Sequence, residues 1–278
     1  MKTLLAASLT GFALLSGSAM AADLPAAPPV YKAPAVVAPV QSWTGCYLDA
    51  GYGYGLWNQD HYVFDTGTGV VDTPKTTDGG RGWLGRFGVG CDYQFSVGGL
   101  GSFVVGALAD YDIMSLKGTS NVDFGNTITP FFGLAGTEKE TGAWYVGPRI
   151  GYLVTPNLLT YFDGGYTATR FSQVNYNNTD SFAGFALGSA SGIFLPAHTY
   201  NGWFLGAGTE YVLNFSWLPI HGLFWRNEVR YASYQSANIS TFCAGGQCGA
   251  PGPEGVSVNA KKYNQTATSS LVWKFNWQ

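Results

Sequence analysis

Charge is the first thing this sequence has little of. Only 11% of its 278 residues are Asp, Glu, Lys or Arg, against about 25% in an ordinary soluble domain. So few charges argue against a chain that must be wetted on every side. Acids and bases nearly balance, 17 against 14. That leaves no basic surplus to neutralise a phosphate backbone and argues against nucleic acid as a partner. Histidine is scarcer still, and His61, His198 and His221 stand apart. No histidine-rich cluster therefore accompanies the cysteines, which argues against a zinc site and leaves the metal expectation at none. Beyond the N-terminus no stretch reaches the 18 or so uninterrupted apolar residues of a membrane helix, which argues against helical spans.

What the chain does have is glycine, 39 residues, and aromatic side chains, 16% of the total. Many small residues, many aromatics and few charges suit a barrel with an apolar outside and a crowded inside. The N-terminus opens on Met1-Lys2-Thr3, continues with an apolar run from Leu4 to Leu15, and ends in the small residues Ala19-Met20-Ala21-Ala22. This is the pattern of a secretory signal peptide, 1–21, so the mature chain is expected to be exported. Residues 22–42 hold Pro25, Pro28, Pro29, Pro34 and Pro39 among Ala and Val. Such spacing predicts an extended periplasmic linker with no core of its own. Residues 43–278 are left for the folded domain.

Within that domain the apolar residues recur with a period of two. Leu271, Trp273, Phe275 and Trp277 share one face of the final stretch, with Val272, Lys274 and Asn276 between them. The same alternation puts Cys46, Leu48, Ala50, Tyr52, Tyr54 and Leu56 on one face and Asp49 on the other. It returns with Trp83, Phe87, Val89, Cys91 and Tyr93 opposite Arg86 and Asp92, and with Phe103 to Ile113 opposite Asp110 and Asp112. Trp144, Val146, Ile150 and Tyr152 stand opposite Arg149, and Phe162 and Tyr166 opposite Asp163. Trp203, Leu205 and Tyr211 stand opposite Glu210, and Trp225, Val229 and Tyr231 opposite Arg226, Glu228 and Arg230. The count is eight strands, each with an apolar face and a charged face. Pro148 interrupts one of them and is expected to need a local bulge, because it has no N–H for the ladder.

The connections alternate in length. Short turns are expected at Phe95–Gly101, at Thr155-Pro156-Asn157 and around Pro219 to Gly222. Long loops are expected at Asn58–Arg81, Lys117–Thr137, Ser172–Thr199 and Gln235–Asn259. A closed antiparallel eight-stranded transmembrane β-barrel with four long extracellular loops has this asymmetry, its short turns lying in the periplasm. A final strand with an aromatic edge must also find a partner, and the first strand supplies one. Eight strands in an exported chain also fit a lipocalin-like carrier with its apolar residues turned inward, an alternative that alternation alone leaves open. The aromatic final strand and the loop asymmetry favour the membrane barrel.

Ser42-Trp43-Thr44-Gly45-Cys46-Tyr47, Val146-Gly147-Pro148-Arg149-Ile150-Gly151-Tyr152 and the closing Ser269 to Trp277, behind a proline-rich lead-in, carry a resemblance over nearly the whole mature chain. The chain resembles the small porin-like, or opacity-protein-like, outer-membrane β-barrel proteins of alphaproteobacteria. The resemblance implies insertion in the outer membrane, with outer-membrane lipid and the barrel-assembly machinery as partners. It also implies that Leu271, Trp273, Phe275 and Trp277 form the tail that this machinery reads. Some members of the family are porins or haemin-binding surface proteins, so small solutes or haemin become possible ligands. Two departures stand out: Gln278 follows the terminal aromatic, and Cys46 sits where the family commonly has an aromatic residue.

Local chemistry is sparse. Cys46 and Cys91 lie on neighbouring strands at the periplasmic end with the same phase, and Cys243 and Cys248 bracket Ala-Gly-Gly-Gln. Two disulfides are expected in an oxidising compartment, with two pairs of thiols as the alternative. Asp49, Asp92, Asp110, Asp112, Asp163, Glu210 and Glu228 would face Arg86, Arg149, Arg226, Arg230 and Lys274 across the lumen. They make either a selective pore or a salt-bridged core. The core is favoured, because eight strands leave room only for their own side chains.

Asp110-Tyr-Asp112 invites an enzymatic reading, but it lacks a second Asp/His pair, and His221 has no serine nearby. No catalysis is expected. His61, Tyr62, His198 and Tyr200 are loop-borne candidates for haem, the one cofactor the family resemblance raises; otherwise none is expected. The function that follows is an envelope structural or surface role with possible narrow-pore activity, against the alternatives of a general diffusion porin or a haemin-binding surface protein.

Overall fold

The computed structural model describes residues 42–123, 133–179, 186–215, 222–246 and 248–275. The leader, nearly all of the linker, most of the turn expected around Pro219, His221 and the terminal Trp277 lie outside the described residues. Every regular element among those described is a strand: β1 (Gly45–Asp65), β2 (Thr76–Val97), β3 (Gly101–Asp123), β4 (Gly133–Thr155), β5 (Leu158–Phe171), β6 (Val174–Asn178), β7 (Ala190–Leu195), β8 (His198–Leu213), β9 (Leu223–Tyr234), β10 (Ala237–Cys243) and β11 (Gly252–Phe275).

The strands close into a ring of eight, β1-β2-β3-β4-β5-β8-β9-β11, with β11 returning to β1. All these pairings are antiparallel. The closing ladder runs without a register shift from Cys46 opposite Phe275 to Asp65 opposite Val256. The final strand thus has the partner its alternation demanded, and the backbone keeps no open edge there. The short turns fall where expected, between Val97 and Gly101 and between Thr155 and Leu158.

A second ring continues the first. β5 runs on into β6 after Ser172-Gln173, β7 leads into β8 through Pro196-Ala197, and β9 runs on into β10 after Gln235-Ser236. The upper parts pair as β4–β6, β6–β7, β7–β10 and β10–β11. The wall therefore has two storeys built from the same chain segments. Proline at 196 lacks an N–H and restricts the residue before it, which suits a break in a stave.

This upper storey corrects the four long loops. Much of Asn58–Arg81, Lys117–Thr137, Ser172–Thr199 and Gln235–Asn259 is strand, and β1 alone has 21 residues. At about 3.3 Å per residue it is roughly 70 Å long, whereas about 9–11 residues of tilted strand cross a bilayer. The reason the extension reads as loop is a reversal of phase. Below, the outer face is apolar: Leu48, Tyr52, Leu56, Phe87, Val146, Phe162 and Leu205 are exposed. Above, the inner face is apolar: Trp57, Val63, Leu116, Val122 and Leu134 are buried in one core with Val174, Leu195 and Val258. Outward positions there are polar, as at Asn58, Lys117, Thr119 and Thr137. In β4 a register shift between Glu140 and Gly142 moves the buried positions from Glu138 and Glu140 to Ala143 and Tyr145.

Aromatic side chains mark the border between the two regimes. Each strand of the lower ring contributes one outward ring to an upper girdle: Tyr54, Trp83, Tyr111, Trp144, Tyr166, Trp203, Tyr231 and Tyr263. Tyr54 and Trp83 meet edge-on at 5.2 Å, Tyr111 and Trp144 are tilted at 4.5 Å, and Tyr231 and Tyr263 are stacked at 6.4 Å. Tyr93, Phe103, Tyr152, Tyr211, Trp225 and Trp273 form the lower one. Paired girdles flanking an apolar band are the signature of a membrane barrel.

Pro148 needs no bulge. The β4–β5 pairs omit the two positions between Val146–Tyr166 and Arg149–Asp163, and the register is the same on both sides. Gly164 and Gly165 lie opposite, so the chains pass closely without a ladder bond at the proline.

Both disulfides form, Cys46–Cys91 and Cys243–Cys248. The first joins residues directly opposite each other in the β1–β2 ladder. An unreduced digest analysed by mass spectrometry should yield these two linked peptides and no free thiol at any of the four positions. Replacing Ala267 by Pro should abolish the heat-modifiable compact band on gels, because it removes a ladder donor from β11 where that strand pairs with both β1 and β9.

Candidate functional site

The inner face of the lower ring is where the charges collect. Period-two alternation sends every second residue inward, and an apolar outer face leaves the inner positions to carry polarity. All the lumen charges expected from the sequence are there and buried: Asp49, Arg86, Asp92, Asp110, Asp112, Arg149, Asp163, Glu210, Arg226, Glu228, Arg230 and Lys274.

They form two ion-paired clusters across the barrel, one around Arg86 and Arg230 and one around Arg226, Arg149 and Lys274, with Tyr161 touching both. Arg86 donates from Nε and Nη2 to both oxygens of Asp112, each at 2.8 Å, and from Nη1 to Glu228 at 2.7 Å and to Thr268 at 2.9 Å. Arg230 reaches Asp110 and Glu228 and lies 3.5 Å from Asp163. Arg226 bridges Asp49 at 2.9 Å and Glu210 at 3.1 Å. Glu210 also receives Arg149 at 3.0 Å and Lys274 at 2.9 Å, and Lys274 donates to Asp92 at 2.8 Å. Bidentate and shared contacts of this kind are the strong form of charged hydrogen bond.

Tyrosine rings fill the space between the guanidinium groups. Arg149 lies 4.1 Å from the Tyr161 ring centroid and Arg226 4.6 Å from that of Tyr47, while Arg230 lies 4.9 Å from that of Tyr145. The Tyr161 hydroxyl donates to Glu228 at 2.7 Å. Glycine makes room on the wall itself. A Cβ at Gly88 would stand 2.3 Å from an Asp110 oxygen and 2.5 Å from an Asp49 oxygen, and one at Gly206 would stand 2.0 Å from Asp163.

Apolar layers cap the network at both ends. Toward the periplasm, Trp43, Tyr47, Val104, Leu159, Phe224 and Val272 pack as a cluster. Trp43 is wholly buried and donates from its indole N–H to the Pro156 carbonyl at 3.2 Å, fastening the start of the barrel across its mouth. Above the network lies a smaller polar group that the sequence did not announce. Lys262 donates to Glu138 at 2.7 Å and to Gln59, with the Phe171 ring centroid 3.9 Å away. Glu140 accepts from Thr169 and Asn264, each at 2.6 Å. Gln59 and Glu138 lie in or beside segments that read as loop; the signals available were the i, i+2 spacing of Glu138 and Glu140 and the outward Tyr263 between Lys262 and Asn264.

The remaining candidates fall elsewhere. Asp110 and Asp112 face the lumen and are ion-paired to Arg230 and Arg86. His61 and His198 lie on β1 and β8 rather than on loops. His61 is buried, its Nε2 2.7 Å from the Asn121 carbonyl oxygen and 3.1 Å from the Thr76 hydroxyl. His198 packs edge-on against Tyr200, ring centroids 4.8 Å apart. Leu271 and Trp273 point outward at the lower end of β11, and Phe275 meets Trp273 edge-on, ring centroids 4.3 Å apart.

A ring of eight strands, apolar outside, girdled by aromatics and packed with charge inside, defines a transmembrane β-barrel. No protein-family model matches the chain. It is 30% identical over 228 residues to the 31 kDa outer-membrane immunogenic protein of Brucella melitensis biotype 1, a match covering 78% of this chain and 83% of the relative. The protein of the same name from Brucella suis biovar 1 matches equally. The chain belongs to this family of outer-membrane β-barrel proteins, and its place is the outer membrane of a Gram-negative cell. Among solved structures, it is similar to the outer membrane protein OprG from Pseudomonas aeruginosa, at 14% identity and a TM-score of 0.47 over 84% of this chain and 97% of that one. It is also similar to the outer membrane protease OmpT from Escherichia coli, at 9% identity and a TM-score of 0.45 over 85% and 100% of the two chains.

Removing one partner from such a network leaves buried charges uncompensated, at a cost of about 3–5 kcal/mol. Arg86→Ala strands Asp112 and leaves Glu228 with Arg230 and Tyr161, and should lower the urea midpoint of the refolded barrel markedly. Arg81→Ala, on the outer wall, should leave that midpoint near the wild-type value.

Proposed function

We propose that this chain is a non-conducting, non-enzymatic surface protein, a sealed barrel that anchors its upper storey outside the cell. One observation carries the reading: the lumen is filled across its width. Arg86 and Arg226 are only 1% and 2% exposed at the middle of the barrel, and Trp43, Phe224 and Val272 are fully buried at its periplasmic mouth. A solute crossing here would have to displace ion pairs whose partners are themselves buried, and each separation costs several kcal/mol. The carboxylates that invited a hydrolytic reading are held by arginines and do not face water, which supports a role without catalysis.

The upper storey suits display. Its outer face is polar and its core is its own, so it stands clear of lipid as a folded surface. The Brucella relatives are named immunogenic, and exposure of the equivalent surface is proposed here.

The competing reading is a porin. Purified, folded protein in a planar bilayer should give no discrete conductance steps. Reproducible steps from wild-type protein would reject the sealed barrel. A haemin-binding role would call on His61 and His198, and His61 would have to surrender its contact with Asn121. Titration with haemin should leave the Soret band of free haemin unshifted; a shift lost on changing both histidines to Ala would favour the haemin reading instead.

A further inference from the structure

Above the upper aromatic girdle, one part of the outer wall carries charge of a single sign. Arg81 on β2, Lys117 on β3, Lys139 on β4 and Arg170 on β5 all face outward; Lys139 is half-buried and the others are exposed. Arg81 lies directly opposite Lys117 in the β2–β3 ladder, and Lys117 directly opposite Lys139 in the β3–β4 ladder. Arg170 completes the arc beside them: its carbonyl accepts from the Thr141 hydroxyl at 3.0 Å, two residues along β4 from Lys139. Like charges set opposite each other across strands repel, and an anion bound between them would relieve that repulsion.

The described residues supply none. None of the four cations makes an ion pair among the described residues. Glu138 and Glu140, which flank Lys139 in sequence, point inward and are buried. The adjoining β1–β11 wall is different. There Lys261 is registered with Asp60, and Asp60 holds Lys75 at 3.1 Å.

Position identifies the missing anion. Arg81 is the next outward residue above Trp83, and Arg170 lies two outward positions above Tyr166. Girdle aromatics sit at the headgroup level of a bilayer, so the arc stands where headgroup phosphates lie. Two arginines with forked donors and two lysines as point charges suit phosphate oxygens.

We propose that this arc docks the phosphate groups of the outer-leaflet glycolipid, a bisphosphorylated lipid A, and so fixes the β2–β5 wall against the lipid. The test uses the purified full-length barrel in detergent, with binding of bisphosphorylated lipid A read by native mass spectrometry. Changing Arg81, Lys117, Lys139 and Arg170 together to Gln should weaken binding roughly tenfold or more, since each basic residue near an anionic surface is worth about 1 kcal/mol. Lys261→Gln should stay within about twofold of wild type, and wild type should bind dephosphorylated lipid A no better than the quadruple variant does. Folding is checked by heat-modifiable gel mobility. If the quadruple variant fails to fold, Arg81→Gln with Lys117→Gln should still cost several-fold. Equal binding by folded variant and wild type, or equal binding of the two lipid A forms by wild type, would overturn the proposal.

Discussion

A backbone N–H or C=O inside hydrocarbon has no water to turn to, and the β1–β11 ladder answers that constraint. It joins the two ends of the folded chain along nearly their whole length, from Cys46 and Phe275 to Asp65 and Val256. Once it forms, the wall has no edge in the bilayer, and each strand is committed to one lipid face and one lumen face. The outer girdles, the charged interior and the plug at Trp43 all presuppose that closure.

Closure at eight strands sets the next limit, because the interior is only wide enough for side chains to fill. The solution here is to fill it with paired charge. Arg86, Arg149, Arg226 and Arg230 reach across the barrel from β2, β4 and β9, so carboxylates on β1, β2, β3, β5, β8 and β9 are cross-linked through the lumen. Each ion pair alone is weak evidence of stability, given the cost of desolvation. Together they penalise a one-residue slip of any strand, which would turn its charges toward lipid.

The upper storey obeys the same backbone rule under a different solvent. Where water replaces lipid outside, the apolar residues move to the inner face and the polar ones to the outer, while the ladders continue. Trp57, Leu116 and Leu134 then build an ordinary core inside a wall whose lower half is the reverse. β5, β8 and β9 are interrupted near this change and resume as β6, β7 and β10. The membrane half and the exposed half are therefore one continuous structure.

The eight membrane strands were legible in the sequence because the bilayer imposes a strict period of two with apolar residues on one phase. The inward charges followed from the same alternation, as did the pairing of Cys46 with Cys91. Residues such as Gln59 and His61 read as loop in the sequence, because the apolar outer phase that marks a membrane strand ends where the outer face meets water. A proline within a strand pattern predicts a bulge, yet Gly164 and Gly165 on the neighbouring strand let the chains pass Pro148 in register. By itself, the sequence determined which face of each membrane strand meets lipid, since that depends only on local alternation. Tertiary structure alone decided which carboxylate each arginine holds, that the staves continue into a second storey, and that Arg81, Lys117, Lys139 and Arg170 converge. Those facts depend on cross-strand register and on shared space, which bring together residues far apart in the chain.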